Sequence, residues 1–306
     1  MDYHPNILAS TLASKKTHTF SILFPKPVSV ESYWNKPMIG VRNAFKDIQS
    51  YGINITPHFF NQFDVQSFKI ELKQILQSNA DGVVLAPFFS RESIEFTSEL
   101  RKRNIPYVFI DSDLDDANKV GYIGQDSFQS GILSAKLLSY STPIDSTILV
   151  VHFAKQLDNI NHLVQREKGF YSYFVKNNIP SSHKIITLEI EDPTNPIFMK
   201  KLEYILLNNK SIRGIFVTNS QVYYVGRIIQ KLNIKGIRII GHDLINENVK
   251  YLNEDIIDFL VCQRPEEQGY QSIITLFDFL ILNKDSKKDN FTSIDIISKE
   301  NINYYK

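Results

Sequence analysis

Residues 104–131 read NIPYVFIDSDLDDANKVGYIGQDSFQSG, and how this stretch folds decides the class of the whole chain. Pro106 opens a four-residue apolar run, Tyr107 to Ile110, that closes on Asp111. A run this short and rich in β-formers suits a strand buried on both faces of a parallel sheet. The carboxylates Asp111, Asp113, Asp115 and Asp116 begin where that strand ends, so they fall in the loop at the sheet's carboxyl edge, where open α/β sheets bind small ligands. A second short strand is predicted from Val120 to Ile123. Asp126 then stands at an N-cap position with Gln129 three residues later, ahead of the helical apolar pattern Ile132, Leu133, Leu137.

The same alternation runs outward in both directions. Upstream, the sequence predicts strands at Phe20–Phe24, Ile53–Phe60 and Gly82–Leu85, with helices at Tyr33–Tyr51, Val65–Ser78 and Arg91–Arg103. Pro25, Pro27 and Pro87 end the first and third of those strands. After a break at Thr142-Pro143-Ile144-Asp145 the pattern restarts. Strands are predicted at Thr147–His152, Lys184–Ile190, Gly214–Val217, Ile237–Ile240 and Ile257–Val261, and helices at Val164–Asn177, Pro196–Asn208, Gln221–Leu232 and Asn246–Leu252. Successive β-then-α units imply doubly wound parallel sheets. Two such halves imply an α/β protein of two domains with a ligand cleft between them. A long amphipathic helix, Pro265 to Leu282, and a final segment, Ser293 to Tyr305, complete the chain.

Composition narrows the function. In 306 residues, 34 Lys and Arg stand against 33 Asp and Glu, a net charge of +1. That balance argues against a chain that binds nucleic acid along a basic face of its own. Cys262 is the single cysteine, which excludes an internal disulfide framework and fits a reducing compartment. The N-terminus lacks the basic-then-apolar layout of a signal peptide, and no stretch approaches about 18 uninterrupted apolar residues. A cytoplasmic protein without a membrane partner is expected. No Gly-x-Gly-x-x-Gly follows a strand, and there is no phosphate loop, nucleophile elbow or His-x-x-x-His pair. Neither a cofactor, a metal site nor catalysis is expected, although fold class alone leaves a nicotinamide dehydrogenase open.

What the sequence does offer is a set of polar residues at predicted strand ends: Asp111, Asn219, Asp243 and Gln263, with Arg166 near the start of a helix. Carboxylates accept hydroxyl protons, Asn and Gln both donate and accept, and Arg donates a planar fork. That mixture suits a polyhydroxylated ligand. Each residue has a plainer reading as a helix cap or turn former. Tyr33 and Trp34, just after the first strand, either stack on a sugar ring or close the first helix onto the core. The run Asp113 to Asp116 reads mainly as a solvated loop.

The order "Ile-Asp, acidic loop, Val-Gly-Tyr-Ile-Gly-Gln-Asp-Ser, Gly, amphipathic helix" resembles the first-domain edge of the periplasmic-binding-protein-like fold shared with the lactose-repressor (LacI/GalR) family of transcriptional regulators. At the other end of the chain, Tyr3-x-Pro5-Asn6-x-x-Ala9-x-x-Leu12 resembles that family's hinge helix. Alone, a helix of two turns is marginal in water. In the family, paired hinge helices enter the DNA minor groove, with Leu12 by position as the inserted wedge and Asn6 and Ala9 beside it. The resemblance implies that Asp111, Arg166, Asn219, Asp243 and Gln263 line an effector pocket for a sugar or sugar derivative. It further implies a homodimer, and operator DNA bound through a head domain that this chain does not contain. It also implies domain bounds: a hinge segment 1–17, a first subdomain 18–142 plus about 265–284, and a second subdomain 143–264 plus about 285–306. The alternatives of the same fold are a periplasmic sugar-binding transport receptor and the extracellular sensor domain of a histidine kinase.

Overall fold

The structure, a computed structural model, describes residues 16–29, 32–116, 118–154, 161–176 and 183–305. The hinge positions Asn6, Ala9 and Leu12 lie outside the described residues. The chain divides into two compact units, one comprising residues up to Gly124 together with Arg264–Thr292, the other Gln125–Gln263 together with the residues from Ser293.

The first unit is built on β1 (His18–Pro25), β2 (Ile53–Phe60), β3 (Gly82–Leu85), β4 (Tyr107–Ile110), β5 (Gly121–Gln125) and β11 (Asp289–Thr292), in the order β11-β5-β4-β3-β1-β2. Its helices are α1 (Asn35–Ile48), α2 (Val65–Gln77), α3 (Ser90–Lys102) and α9 (Pro265–Leu280). The second is built on β6 (Ser146–Phe153), β7 (His183–Ile190), β8 (Ile212–Val217), β9 (Arg238–His242), β10 (Phe259–Cys262) and β12 (Asp295–Ile297), in the order β12-β10-β9-β8-β6-β7. Its helices are α4 (Ser127–Ser141), α5 (Asn161–Lys176), α6 (Pro196–Asn208), α7 (Tyr223–Lys231) and α8 (Asn246–Asn253). The two orders are the same when strands are matched one for one. In each unit the strands from the second through the sixth in that order pair in parallel, and β12 pairs antiparallel to β10. Each sheet reverses its winding at one place, between β1 and β3 in the first unit and between β6 and β8 in the second. That is where a doubly wound sheet opens to a ligand.

Burial explains the parallel sheets. All eight residues of β6 and all four of β3 and of β4 are buried, so neither face of these strands meets water. Side chains alternate between layers, as a period of two demands. Leu149, Val151, Ile215 and Val217 share one core, while Ile148, Val150 and Phe216 share another with Ala135, Leu138 and Phe170.

The structure moves the domain boundary. A first subdomain ending at residue 142 is not what is found: α4 belongs to the second unit, and the division falls between Gly124 and Gln125. The cause is a backbone-close crossing of α4 and α5. A Cβ on Gly131 would lie 2.0 Å from the Arg166 carbonyl oxygen, and one on Gly169 would lie 1.9 Å from that of Phe128. Only paired glycines allow two helices to touch this way. The tail also differs from expectation, since β11 joins the first sheet and the chain passes to the second unit at Ser293.

Candidate functional site

Two carboxylates take matching places in the two sheets. Asp111 directly follows β4 and Asp243 directly follows β9, the corresponding strand, and each has φ of 68°. Their backbone amides both donate to the neighbouring strand, Asp111 to the Ile123 carbonyl at 3.1 Å and Asp243 to that of Val261 at 3.0 Å. A left-handed backbone outside glycine is tolerated best by Asn and Asp, and such positions gather at functional sites. Both residues are nearly buried, at 4% and 3% exposure.

In the first unit Asp111 Oδ1 accepts a hydrogen bond from the Tyr33 hydroxyl at 2.9 Å, and the Tyr122 hydroxyl donates to the Asp111 carbonyl at 3.1 Å. Tyr33 thus stands against the strand-end carboxylate. Trp34 takes the plainer of its two roles: it is buried in the core, with ring centroids 5.4 Å from Phe24 and 6.4 Å from Phe88. The acidic run is not a solvated loop. Both oxygens of Asp113 accept from Lys119 Nζ, at 2.6 and 2.7 Å, and Asp116 accepts from the Tyr107 hydroxyl at 2.6 Å and lies 3.6 Å from Arg101. Of the four carboxylates only Asp115 is exposed. Lys119, which the sequence reading left unassigned, is the reason: it lies across the loop and holds it inward. Asp126 is a helix cap, its Oδ1 accepting from the Gln129 amide at 2.9 Å at the start of α4.

The second unit brings Arg166, Gln263 and Asp243 into one chain of contacts. Arg166 is 1% exposed. Its Nη1 donates to the Thr218 carbonyl at 2.7 Å and its Nη2 to Gln263 Oε1 at 2.6 Å. The amide of Gln263 in turn donates to both oxygens of Asp243, at 3.1 and 2.9 Å. A buried cation and a buried anion are thereby coupled through a neutral side chain, each gaining a charge-assisted hydrogen bond. Asn219 lies at the winding reversal itself: its Nδ2 donates to the Phe153 carbonyl at 2.8 Å, joining the end of β8 to the end of β6.

Several residues that sequence reasoning missed surround this chain. Asn248, fully buried, accepts from the Tyr223 amide at 3.0 Å and donates to the carbonyls of Ser220, His242 and Asp243 at 2.8–3.0 Å. It fastens the loops after β8 and β9 to one another. Its position inside a short amphipathic pattern gives no hint of that. His242 Nδ1 contacts the Val217 carbonyl at 3.2 Å, so it carries the proton, and Nε2 accepts from the Ser130 hydroxyl at 3.1 Å. Burial first, then the charge of Arg166, holds His242 and His162 well below the usual imidazole range. Arg166 is therefore ringed by neutral histidines. Among the described residues, no group of His, Cys, Asp and Glu is arranged to hold a metal ion.

Two matching doubly wound units, each carrying a strand-end carboxylate and its polar neighbours, form the kind of sheet edge at which open α/β folds bind small ligands. Comparison with known proteins gives the family. Residues 22–284 match the periplasmic binding protein domain family. A crystal structure described as that of a LacI transcriptional regulator from Bacteroides fragilis is similar with a TM-score of 0.88 and 31% identity, covering 95% of this chain and 100% of that one. The glucose-galactose binding protein GanP from Geobacillus stearothermophilus has a TM-score of 0.80 at 19% identity, covering 94% of this chain and 99% of that one, a likeness of fold. An HTH-type transcriptional repressor, ExuR of Bacillus subtilis strain 168, is 23% identical over 188 residues, 60% of this chain and 51% of the repressor. The chain spans about half the length of that curated relative. The chain belongs to the periplasmic binding protein domain family, and within it to the lactose-repressor group of regulators as their effector-binding core. The proteins it resembles are described as binding proteins and transcriptional regulators. No described helix is long and apolar enough to cross a membrane.

Proposed function

We propose that the chain binds a small sugar-like effector through the strand-end residues Asp111, Asn219, Asp243 and Gln263 and through Arg166 of α5, with Tyr33 beside Asp111. Binding controls the affinity of a linked DNA-binding head for its operator, in a cytoplasmic homodimer. The observation that carries this reading is the Arg166–Gln263–Asp243 chain. Burying a cation and a carboxylate is costly, and here Asp243 ends β9 while Arg166, on α5, donates to the Thr218 carbonyl just past β8, the strand that borders the winding reversal. Fixed donors and acceptors of both kinds suit vicinal hydroxyls.

The test is calorimetric titration with monosaccharides, beginning with D-glucose and D-galactose, followed by sugar acids. One of them should bind. Arg166→Ala, Asn219→Ala and Asp243→Ala should each weaken that binding about 10- to 150-fold, as expected for losing about 1.5–3 kcal/mol from a charged hydrogen bond. Unchanged affinity in all three variants would sink the pocket. A second reading, a sugar receptor serving transport, draws support from fold neighbours such as GanP. It predicts sugar binding with no effect on DNA.

A further inference from the structure

We infer that His152 and Glu167 are positioning residues for Arg166: with Thr218 they close a ring of contacts that fixes the plane of its guanidinium. The inference rests on the reading above only in taking Arg166 as the residue presented to the ligand.

The guanidinium has two acceptors, one a side chain and one a backbone carbonyl. Gln263, steadied by Asp243, holds Nη2. The other acceptor, at Nη1, is the Thr218 carbonyl, one residue past the end of β8. Two contacts tie that residue to β6 at the Val151 carbonyl, one from its amide at 3.2 Å and a longer one from its hydroxyl at 3.4 Å. What orients Thr218 further is its hydroxyl, 2.8 Å from Nδ1 of His152 on β6. On the opposite side of the same imidazole, Nε2 lies 3.4 Å from Glu167 Oε2. Glu167 is the residue next to Arg166 on α5, so the path returns to the helix from which it started. Glu167 Oε1 also accepts from the Thr187 hydroxyl at 2.9 Å on β7.

The protons can be assigned. Contact with His152 keeps the Glu167 carboxyl below the usual range, so it is ionised and draws the imidazole proton to Nε2. Nδ1 is then an acceptor, and the Thr218 hydroxyl donates to it. The hydroxyl and imidazole are fully buried, at 0% exposure each. One residue earlier in both strands, Val151 pairs with Val217, an apolar contact that the sheet makes at no polar cost. A His and a Thr in the next position have a cost to meet, and setting the Thr218 carbonyl for Arg166 accounts for them. Sequence alone hides this, because His152 and Glu167 are 15 positions apart, on a strand and a helix.

The test uses the whole chain without any sugar. With arginine labelled by nitrogen-15, the guanidinium protons of Arg166 are assigned by their loss in Arg166→Lys. They should exchange with water at least about tenfold more slowly than those of exposed arginines, as bonded, buried groups do. His152→Ala should raise that rate at least about tenfold while circular dichroism reports a folded protein. Glu167→Ala should act in the same direction. Glu167→Gln, which retains an acceptor for Nε2–H, should restore slow exchange. Unchanged exchange in folded His152→Ala, or Glu167→Gln exchanging as fast as Glu167→Ala, overturns the inference. If His152→Ala does not fold, the two Glu167 variants decide it alone. A sugar that fails to respond to Arg166→Ala would count against the ligand reading and leave this result standing.

Discussion

Arg166 is a cation at 1% exposure whose acceptors, a carbonyl and an amide oxygen, are both neutral. Its surroundings are arranged so that no second positive charge forms nearby, and this has a consequence for stability. The folded protein holds His162 and His242 unprotonated, chiefly through burial and secondly through Arg166. The unfolded chain takes up protons at both as pH falls through about 6.5. A depressed imidazole therefore contributes nothing unfavourable above that pH, and below it stability falls by up to about 1.4 kcal/mol per pH unit for each residue. Urea unfolding at pH 7.5 and at 5.5 should show this loss, and His162→Gln combined with His242→Gln should reduce it. An equal loss in the double variant would contradict the assignment. At this scale the sequence was partly legible. Asp111, Asp243 and Gln263 announced themselves by ending apolar runs. The matching left-handed backbones of the two aspartates did not, because φ is set by how the chain leaves the sheet, nor did the pairing of the half-buried Asp113 and Asp116, which depends on Lys119 and Arg101 reaching them across the fold.

Among the elements, the crossing of α4 and α5 does the most for the site. It seats the turn of α5 that carries Arg166, since the Arg166 carbonyl is the atom a Cβ on Gly131 would strike at 2.0 Å. The first unit repeats the device: a Cβ on Gly40 of α1 would meet the Glu266 carbonyl of α9 at 1.9 Å, and one on Gly269 that of Pro37 at 2.0 Å. Gly131→Ala must push two helix backbones apart. It should destabilise the protein by about 1–3 kcal/mol or more in denaturant unfolding, and weaken sugar binding as well by shifting Arg166. Wild-type stability in Gly131→Ala would show that the helices can part freely. The sequence predicted β2, β3, β4 and α6 with the bounds the structure gives them, because each is an apolar run or a helical pattern framed by Pro, Gly or a cap. Asp126 was legible as a cap for the same reason. It did not predict β11, whose residues DNFT bury only Thr292 and so carry no apolar signature. Nor did it predict that α4 belongs with α5, since a glycine in a helical pattern reads as a weakness until its partner helix is known.

Across the whole molecule, the same winding occurs twice in one chain. The restart after residue 142 made the duplication legible, while the point of division was not, because helix packing rather than strand order sets it. The proposed function requires a path from ligand to DNA. The segment from Tyr3 to Leu12 is the proposed path. In a full-length protein carrying a DNA-binding head, Leu12→Ala should reduce operator affinity much more than sugar affinity, since a minor-groove wedge touches only the DNA. Equal operator affinity in that variant would remove the hinge from the account. The most direct measurement is DNA retention by the full-length protein, at fixed salt, with and without the sugar that calorimetry identifies. The account predicts that saturating sugar changes operator affinity at least about fivefold, the lower end of ordinary allosteric coupling, and that Arg166→Ala retains DNA binding but loses the response. A sugar that binds the protein tightly and leaves its DNA affinity unchanged would contradict it.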